Sequence, residues 1–206
     1  MGSIFGFSME NDHLPSNHNI GNYSLLKSYQ VIYERNKIKR PIQTQIPIQH
    51  SDHIYFGCSP KQVEQQMTSK PKMAMFNTEG LNRKILQYSE SVENHVVDIE
   101  MHFHKNKLFL FKTSFREASP EIRINLMKSL LAAFNLPSVD LSIHSIFDSN
   151  NNCIQIRDLA SFEVIYTAMD SSFFDKLVKI ITQSNNQLLA DYHLTSAPIN
   201  KSISKK

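Results

Sequence analysis

Tryptophan is absent from the 206 residues, cysteine occurs twice and glycine five times. Five scattered glycines leave no glycine-rich phosphate loop to build. Cys58 and Cys153 stand far apart and form no Cys-x-x-Cys pair. That spacing speaks against a zinc ribbon and against a disulfide framework. Two buried reduced thiols are expected, with a single long-range disulfide as the alternative. An excess of one charge is missing too. Lys and Arg total 22 against 19 Asp and Glu, a net charge of +3, and no face is obviously basic. A dedicated nucleic-acid binder normally carries a clustered basic footprint, so nucleic acid is not the expected partner. No apolar run reaches the length of a bilayer span. The opening MGSIFGFSMENDHLPSNHN has neither the basic start nor the apolar centre of a signal peptide. A soluble, cytoplasmic protein is expected. No Gly-x-Ser-x-Gly, His-Glu-x-x-His or cysteine-nucleophile motif occurs, so no catalytic residues and no cofactor are expected.

What is present is a strong period-2 signal. In His95–Arg116, Val97, Ile99, Met101 and Phe103 alternate with Asp98, Glu100, His102 and His104. This is the pattern of a half-buried strand. The polar stretch 104–107 suits a hairpin turn, and an apolar, aromatic strand follows, broken by Lys112. Ser59-Pro60-Lys61-Gln62 and Ser119-Pro120 are both helix starts, a capping serine followed by proline at the first helical position. After Ser119, the positions Ile122, Leu126, Leu130 and Phe134, with Met127 and Leu131, mark the buried stripe of an amphipathic helix. Strands are expected at 139–147, 153–157 and 162–168, and a last helix from Ser172 to about Leu189. The segment 23–35 reads equally as helix or strand. Residues 81–88 are a weak strand or a turn of helix. The stretch 42–48, punctuated by Pro41 and Pro47, is extended and at best an edge strand.

The expected class is therefore α+β, an antiparallel sheet covered on one face by helices. A flexible arm is expected over residues 1–20, one domain over 21–195 and a basic tail over 196–206. The two Ser-Pro starts suggest a duplicated helix-plus-hairpin unit at 55–116 and 117–189.

The stretch Ile54-Tyr55-Phe56-Gly57-Cys58-Ser59-Pro60-Lys61-Gln62-Val63 resembles the opening of the small outer-membrane assembly lipoproteins. It also resembles the related domains that share the fold of the β-lactamase inhibitor protein. Ser69 or Lys70 stands where that family carries a glycine, and its lipidated cysteine is missing. The resemblance implies a two-helix layer on a curved antiparallel sheet that binds other proteins and has no catalytic residues. The Asn, Lys, Ile and Ser bias hints at an AT-rich bacterial genome.

Two function classes follow. The first is a non-enzymatic bacterial protein-binding module of inhibitor or immunity type. Its partner would dock on a polar outer sheet face through Glu100, His102, His144 and Arg157, with no helix left to cover that face. The second is a metal-binding protein or metal-dependent enzyme. Glu100, His102 and His104 project from one strand face, roughly 7 Å apart in succession, and are legitimate zinc ligands. His50-x-x-His53 is a weaker candidate pair.

Overall fold

The computed structural model describes residues 18–78, 81–92, 95–158 and 161–195. It is an α+β fold with eight strands in one sheet. Helix α1 (His18–Ile38) leads into β1 (Arg40–Gln43) and, after a loop, α2 (Pro60–Gln66). Four strands follow: β2 (Lys72–Thr78), β3 (Leu81–Val92), β4 (His95–His104) and β5 (Lys107–Phe115). Then come α3 (Pro120–Ala133), β6 (His144–Phe147), β7 (Asn152–Asp158), β8 (Phe162–Ala168) and α4 (Ser172–Thr195). The strand order is β1-β6-β7-β8-β5-β4-β3-β2. All pairings are antiparallel except β1 with β6, which is parallel. Each of α2 and α3 is followed by an antiparallel meander, and the meanders join where β5 meets β8. Residues 1–17 and 196–206, which hold most of the expected arm and all of the expected tail, lie outside the described residues. Helix α1 already begins at His18, inside the arm as expected from sequence.

Both faces of the sheet are covered, and this corrects the one-sided layer expected from sequence. On one face Val97, Ile99, Met101, Phe103, Leu86, Tyr88 and Phe111 pack with Val63 of α2. Beside them Ile146, Ile154, Ile156, Phe162 and Val164 pack with Leu131 and Phe134 of the α3 region. On the opposite face Phe109, Leu110 and Ile165 pack under Tyr29 and Ile32 of α1 and Phe173, Phe174 and Leu177 of α4. Burying each such side chain contributes on the order of 1.5–3 kcal/mol.

The ambiguity of 23–35 resolves through spacing. Tyr29, Ile32 and Asn36 are buried and Tyr33 is half-buried, while Val31 is exposed. A strand would have put Tyr29, Val31 and Tyr33 on one side; a helix puts 29, 32, 33 and 36 there. Residues 81–88 form a strand whose two faces are both used. Leu86 and Tyr88 enter one core, and Leu81 enters the other. Burial on both sides erases the alternation that marks a strand in the sequence. In β4 the alternation survives only at the open end: from Met101 to His104 all four residues are buried.

The caps form as the residues dictate. The Ser59 side chain accepts from the Gln62 N–H, and the Gln62 side chain accepts from the Ser59 N–H at 2.8 Å. Gly57, at φ +96°, turns the chain into α2. Its N–H donates to the Leu108 carbonyl, and the Leu108 N–H to the Cys58 carbonyl, both at 2.9 Å, tying this loop to the start of β5. Lys105 and Asn106 take positive φ in the two-residue turn of the β4–β5 hairpin. The α3 stripe is only partly buried. Leu131 and Phe134 are buried; Ile122, Leu126, Met127 and Leu130 are half-buried. Cys58 and Cys153 are free and buried, with no disulfide between them. Among the described residues no helix is long and apolar enough to cross a membrane.

Candidate functional site

Two polar residues of β4, His102 and His104, do not face solvent. They lie on the sheet face that α1 and α4 cover. His102 is only 4 % exposed, and His104, Gln155, Glu163 and Lys112 are buried with it. The Tyr29 hydroxyl of α1 stands 2.6 Å from His102 Nδ1. Its burial raises the phenol pKa, so the hydroxyl stays protonated. His102 Nε2 lies 3.3 Å from Glu100 Oε2, a carboxylate oxygen that only accepts, so a neutral ring carries its proton on Nε2 and leaves Nδ1 to accept from the Tyr29 hydroxyl. Burial lowers the His102 pKa, against the pull of Glu100, and favours the neutral ring.

From Glu100 the charges alternate across four strands. Lys112 of β5, the register partner of Glu100, places its ammonium 3.0 Å from Glu100 and 3.7 Å from Glu163 of β8. Arg157 of β7, the register partner of Glu163, grips that carboxylate through Nε and Nη2. Tyr29, His102, Glu100, Lys112, Glu163 and Arg157 thus form one continuous polar row beneath the helices. Gln155 extends it by donating to the Ile32 carbonyl of α1 at 3.2 Å. Burying Lys112 and Glu163 costs several kcal/mol per ion, which the alternation of signs offsets. Tyr29 and Gln155 tie the row to α1.

Glu100, His102 and Arg157, grouped from the sequence as a docking surface, are brought together, but within the fold. His102 is sealed, and Glu100 and Arg157 are half-buried. His144 is not among them. Ser145 faces α1, with its hydroxyl 3.3 Å from Asn36 Oδ1, and Ile146 enters the α3 core. By strand alternation His144 shares the Ile146 side, opposite the polar row. Its Nδ1 lies 2.8 Å from the Asp140 carbonyl. The stretch before it is a turn rather than the strand expected from residue 139, because Asp140 Oδ1 accepts from the Ser142 N–H at 2.8 Å.

The ligand set Glu100, His102 and His104 does not converge. The two ring nitrogens of His102 face Tyr29 and Glu100, while His104 Nδ1 lies 3.1 Å from the Asn82 carbonyl. Among the described residues no group of three His, Cys, Asp or Glu side chains could hold a metal ion. His50 and His53 are also separated in role. His50 is half-buried edge-on to Phe111, with ring centroids 5.5 Å apart, and His53 is exposed. Sequence reasoning passed over Tyr29, Lys112 and Glu163. The signal for the last two was present: each is a lone charge inside an apolar strand, at Leu108–Phe115 and Phe162–Ala168.

The Glu100 carboxyl carries a testable pH dependence. Burial alone would raise its pKa, but His102 and Lys112 outweigh burial and hold it at about 2, below the ordinary 4.5. The unfolded chain therefore takes up this proton first as pH falls. The stability linked to Glu100 is complete above about pH 4.5 and is lost between there and about 2. Glu100→Gln should flatten the decline of unfolding free energy across that window, measured by urea melts at a series of pH values. An unchanged slope would place Glu100 outside the row.

A different feature is open. Where β4 begins and β5 ends, a hollow of about 300 Å³ is lined by His95, Val96, Phe115, Arg116, Glu117, Ala118 and Ile122. Val96 is 52 % exposed. Arg116 is fixed at the rim by Asp98, with Nε–Oδ2 at 2.5 Å and Nη2–Oδ1 at 3.0 Å. Ser89 donates to the same carboxylate at 2.7 Å. Burial would raise the Asp98 pKa, but the bonds from Arg116 and Ser89 outweigh it and lower it. Neither known family models, nor curated proteins, nor solved structures yield a match to this chain.

Proposed function

We propose that the protein is a non-enzymatic protein-binding module, and that its docking surface is the hollow between β4, β5 and the start of α3. The polar row is tied to α1 through Tyr29 and Gln155. The observation that carries the reading is the exposure of Val96 beside an arginine held by Asp98, whose carboxylate also accepts from Ser89. A rigid strand presenting an apolar floor and a pre-ordered polar rim suits a single apolar anchor side chain of a partner. Ile124 of α3, 48 % exposed, adds apolar surface from the neighbouring helix. In its most specific form the module is a cytoplasmic bacterial inhibitor or immunity-type protein, a form that rests on the sequence resemblance.

Peptides selected from a random display library against the folded protein test this. Selected peptides should carry one large apolar residue in common. They should shift the amide resonances of residues 95–97 and 115–118, and lose at least about tenfold in affinity against Val96→Asp, a change of about 1.4 kcal/mol. Binding that ignores Val96→Asp and shifts resonances elsewhere would refute this surface.

A further inference from the structure

Helix α1 is held on the sheet by two kinds of polar tie. Toward its C-terminal end the ties run through groups that keep one charge state near neutrality. Gln155 of β7 donates to the Ile32 carbonyl at 3.2 Å. Asn36 Oδ1 accepts from Cys153 Sγ at 2.9 Å and from the Ser145 hydroxyl at 3.3 Å. Burial pushes the Cys153 thiol up to about 12, so it stays a donor. One turn before Ile32, at Tyr29, the tie is made to a histidine, whose donor and acceptor roles change with its charge.

The Tyr29 oxygen is approached from two sides. The Arg83 guanidinium of β3, its carbon 5.5 Å from the Tyr29 ring centre, donates to the phenol. On the other side His102 Nδ1 accepts the hydroxyl proton at 2.6 Å. This arrangement is complete only while Nδ1 carries no proton. A protonated imidazole donates from both nitrogens. Two donors would then face one oxygen, and the Tyr29 proton would have no acceptor among the described residues. A buried donor without an acceptor is costly. The charges around the ring add to the conflict. Arg83 from β3 and Lys112 from β5 act on it against Glu100 of β4, which already holds Lys112 at 3.0 Å. Lys176 of α4 acts on the neighbouring His104.

We propose that His102 is a proton-operated latch: in acid the ring takes up a proton, its bond with Tyr29 breaks, and the part of α1 before Ile32 lifts from the sheet while the C-terminal end stays bound. The face that opens is the aromatic floor of Phe109 and Phe173, whose ring centres lie 5.8 and 4.9 Å from that of Tyr29. Burial holds the His102 pKa below 6.5, so the latch is closed above that pH and opens below it. This inference is independent of the hollow beside Val96.

Amide hydrogen exchange along α1, followed by NMR and corrected for the intrinsic effect of pH, tests it. Between about pH 7.5 and about pH 5, protection at residues 27–31 should fall at least about tenfold further than at Asn36 and in β7, the equivalent of one unit of pKa. His102→Asn places an amide oxygen where Nδ1 stood, which accepts from Tyr29 without titrating, and the difference between the two segments should vanish. Tyr29→Phe removes the hydroxyl and with it the conflict. Its residues 27–31 should be loosened already at about pH 7.5 and change little on acidification. Residues 27–31 that stay as protected as Asn36 down to about pH 5 overturn the proposal. So does a selective loss that persists in His102→Asn, which would assign the opening to His104, and so does a Tyr29→Phe chain with the pH dependence of wild type.

Discussion

Replacing Lys112 by methionine is expected to destabilise the protein by about 3–5 kcal/mol, because it leaves buried charge uncompensated. The ammonium stands between two carboxylates, 3.0 Å from Glu100 and 3.7 Å from Glu163. Methionine keeps most of the volume, so the loss reports charge rather than packing. Glu163 retains Arg157, but Glu100 is left with a neutral histidine. A second variant separates the net worth of the row from the cost of breaking it. With Glu100→Leu added to Lys112→Met, much of the lost stability should return, since an apolar pair of similar size avoids the desolvation of both ions. Urea melts measure both. A loss below about 1 kcal/mol for Lys112→Met would mean that the row is hydrated and the helices do not seal it.

The other large effect is expected at Phe173. This ring is fully buried at the start of α4 and stacks on Phe109 with centroids 4.0 Å apart. It meets Tyr29 edge-on at 4.9 Å and Phe174 at 5.3 Å. Rings from β5 and α1 and the neighbouring Phe174 surround it, so the surrounding atoms cannot collapse into the space it leaves. Phe173→Ala should cost about 3–5 kcal/mol. It should also loosen the cover over His102, because Tyr29 packs against both rings. Phe173→Leu should recover part of the loss. Denaturant melts that place Phe173→Ala within about 1 kcal/mol of wild type would remove α4 from the core.

Much of the fold was legible because its signals are local. The Ser59 and Ser119 caps, the β4–β5 hairpin and the start of α4 at Ser172 each depend on neighbours within a few positions. The alternation of Val97, Ile99, Met101 and Phe103 was read to the correct face. What could not be read was the fate of the opposite face. Asp98, Glu100, His102 and His104 look solvent-facing in any isolated strand. Two of the four are buried only because α1 and α4, remote in sequence, lie across them. His144 was misplaced for the reverse reason. A local bond from Ser142 to Asp140 makes a turn of the first part of the expected strand, which begins only at His144, and alternation counted from residue 140 runs through that turn. The parallel pairing of β1 with β6 joins residues about a hundred positions apart, and no local pattern announces it.

The central claim is that the face of β4 at His102 is closed beneath α1 and α4, with His102 held neutral between Tyr29 and Glu100. Imidazole nitrogen resonances of His102, followed by NMR as pH is lowered, test it directly. The closed face predicts a ring with its proton on Nε2 and an unprotonated Nδ1, titrating below the ordinary 6.5 of histidine. The same depression means that stability falls as pH drops below 6.5, because only the unfolded chain takes up this proton there. A His102 that titrates at 6.5 or above, with both tautomers populated, would contradict the account and open the face to solvent.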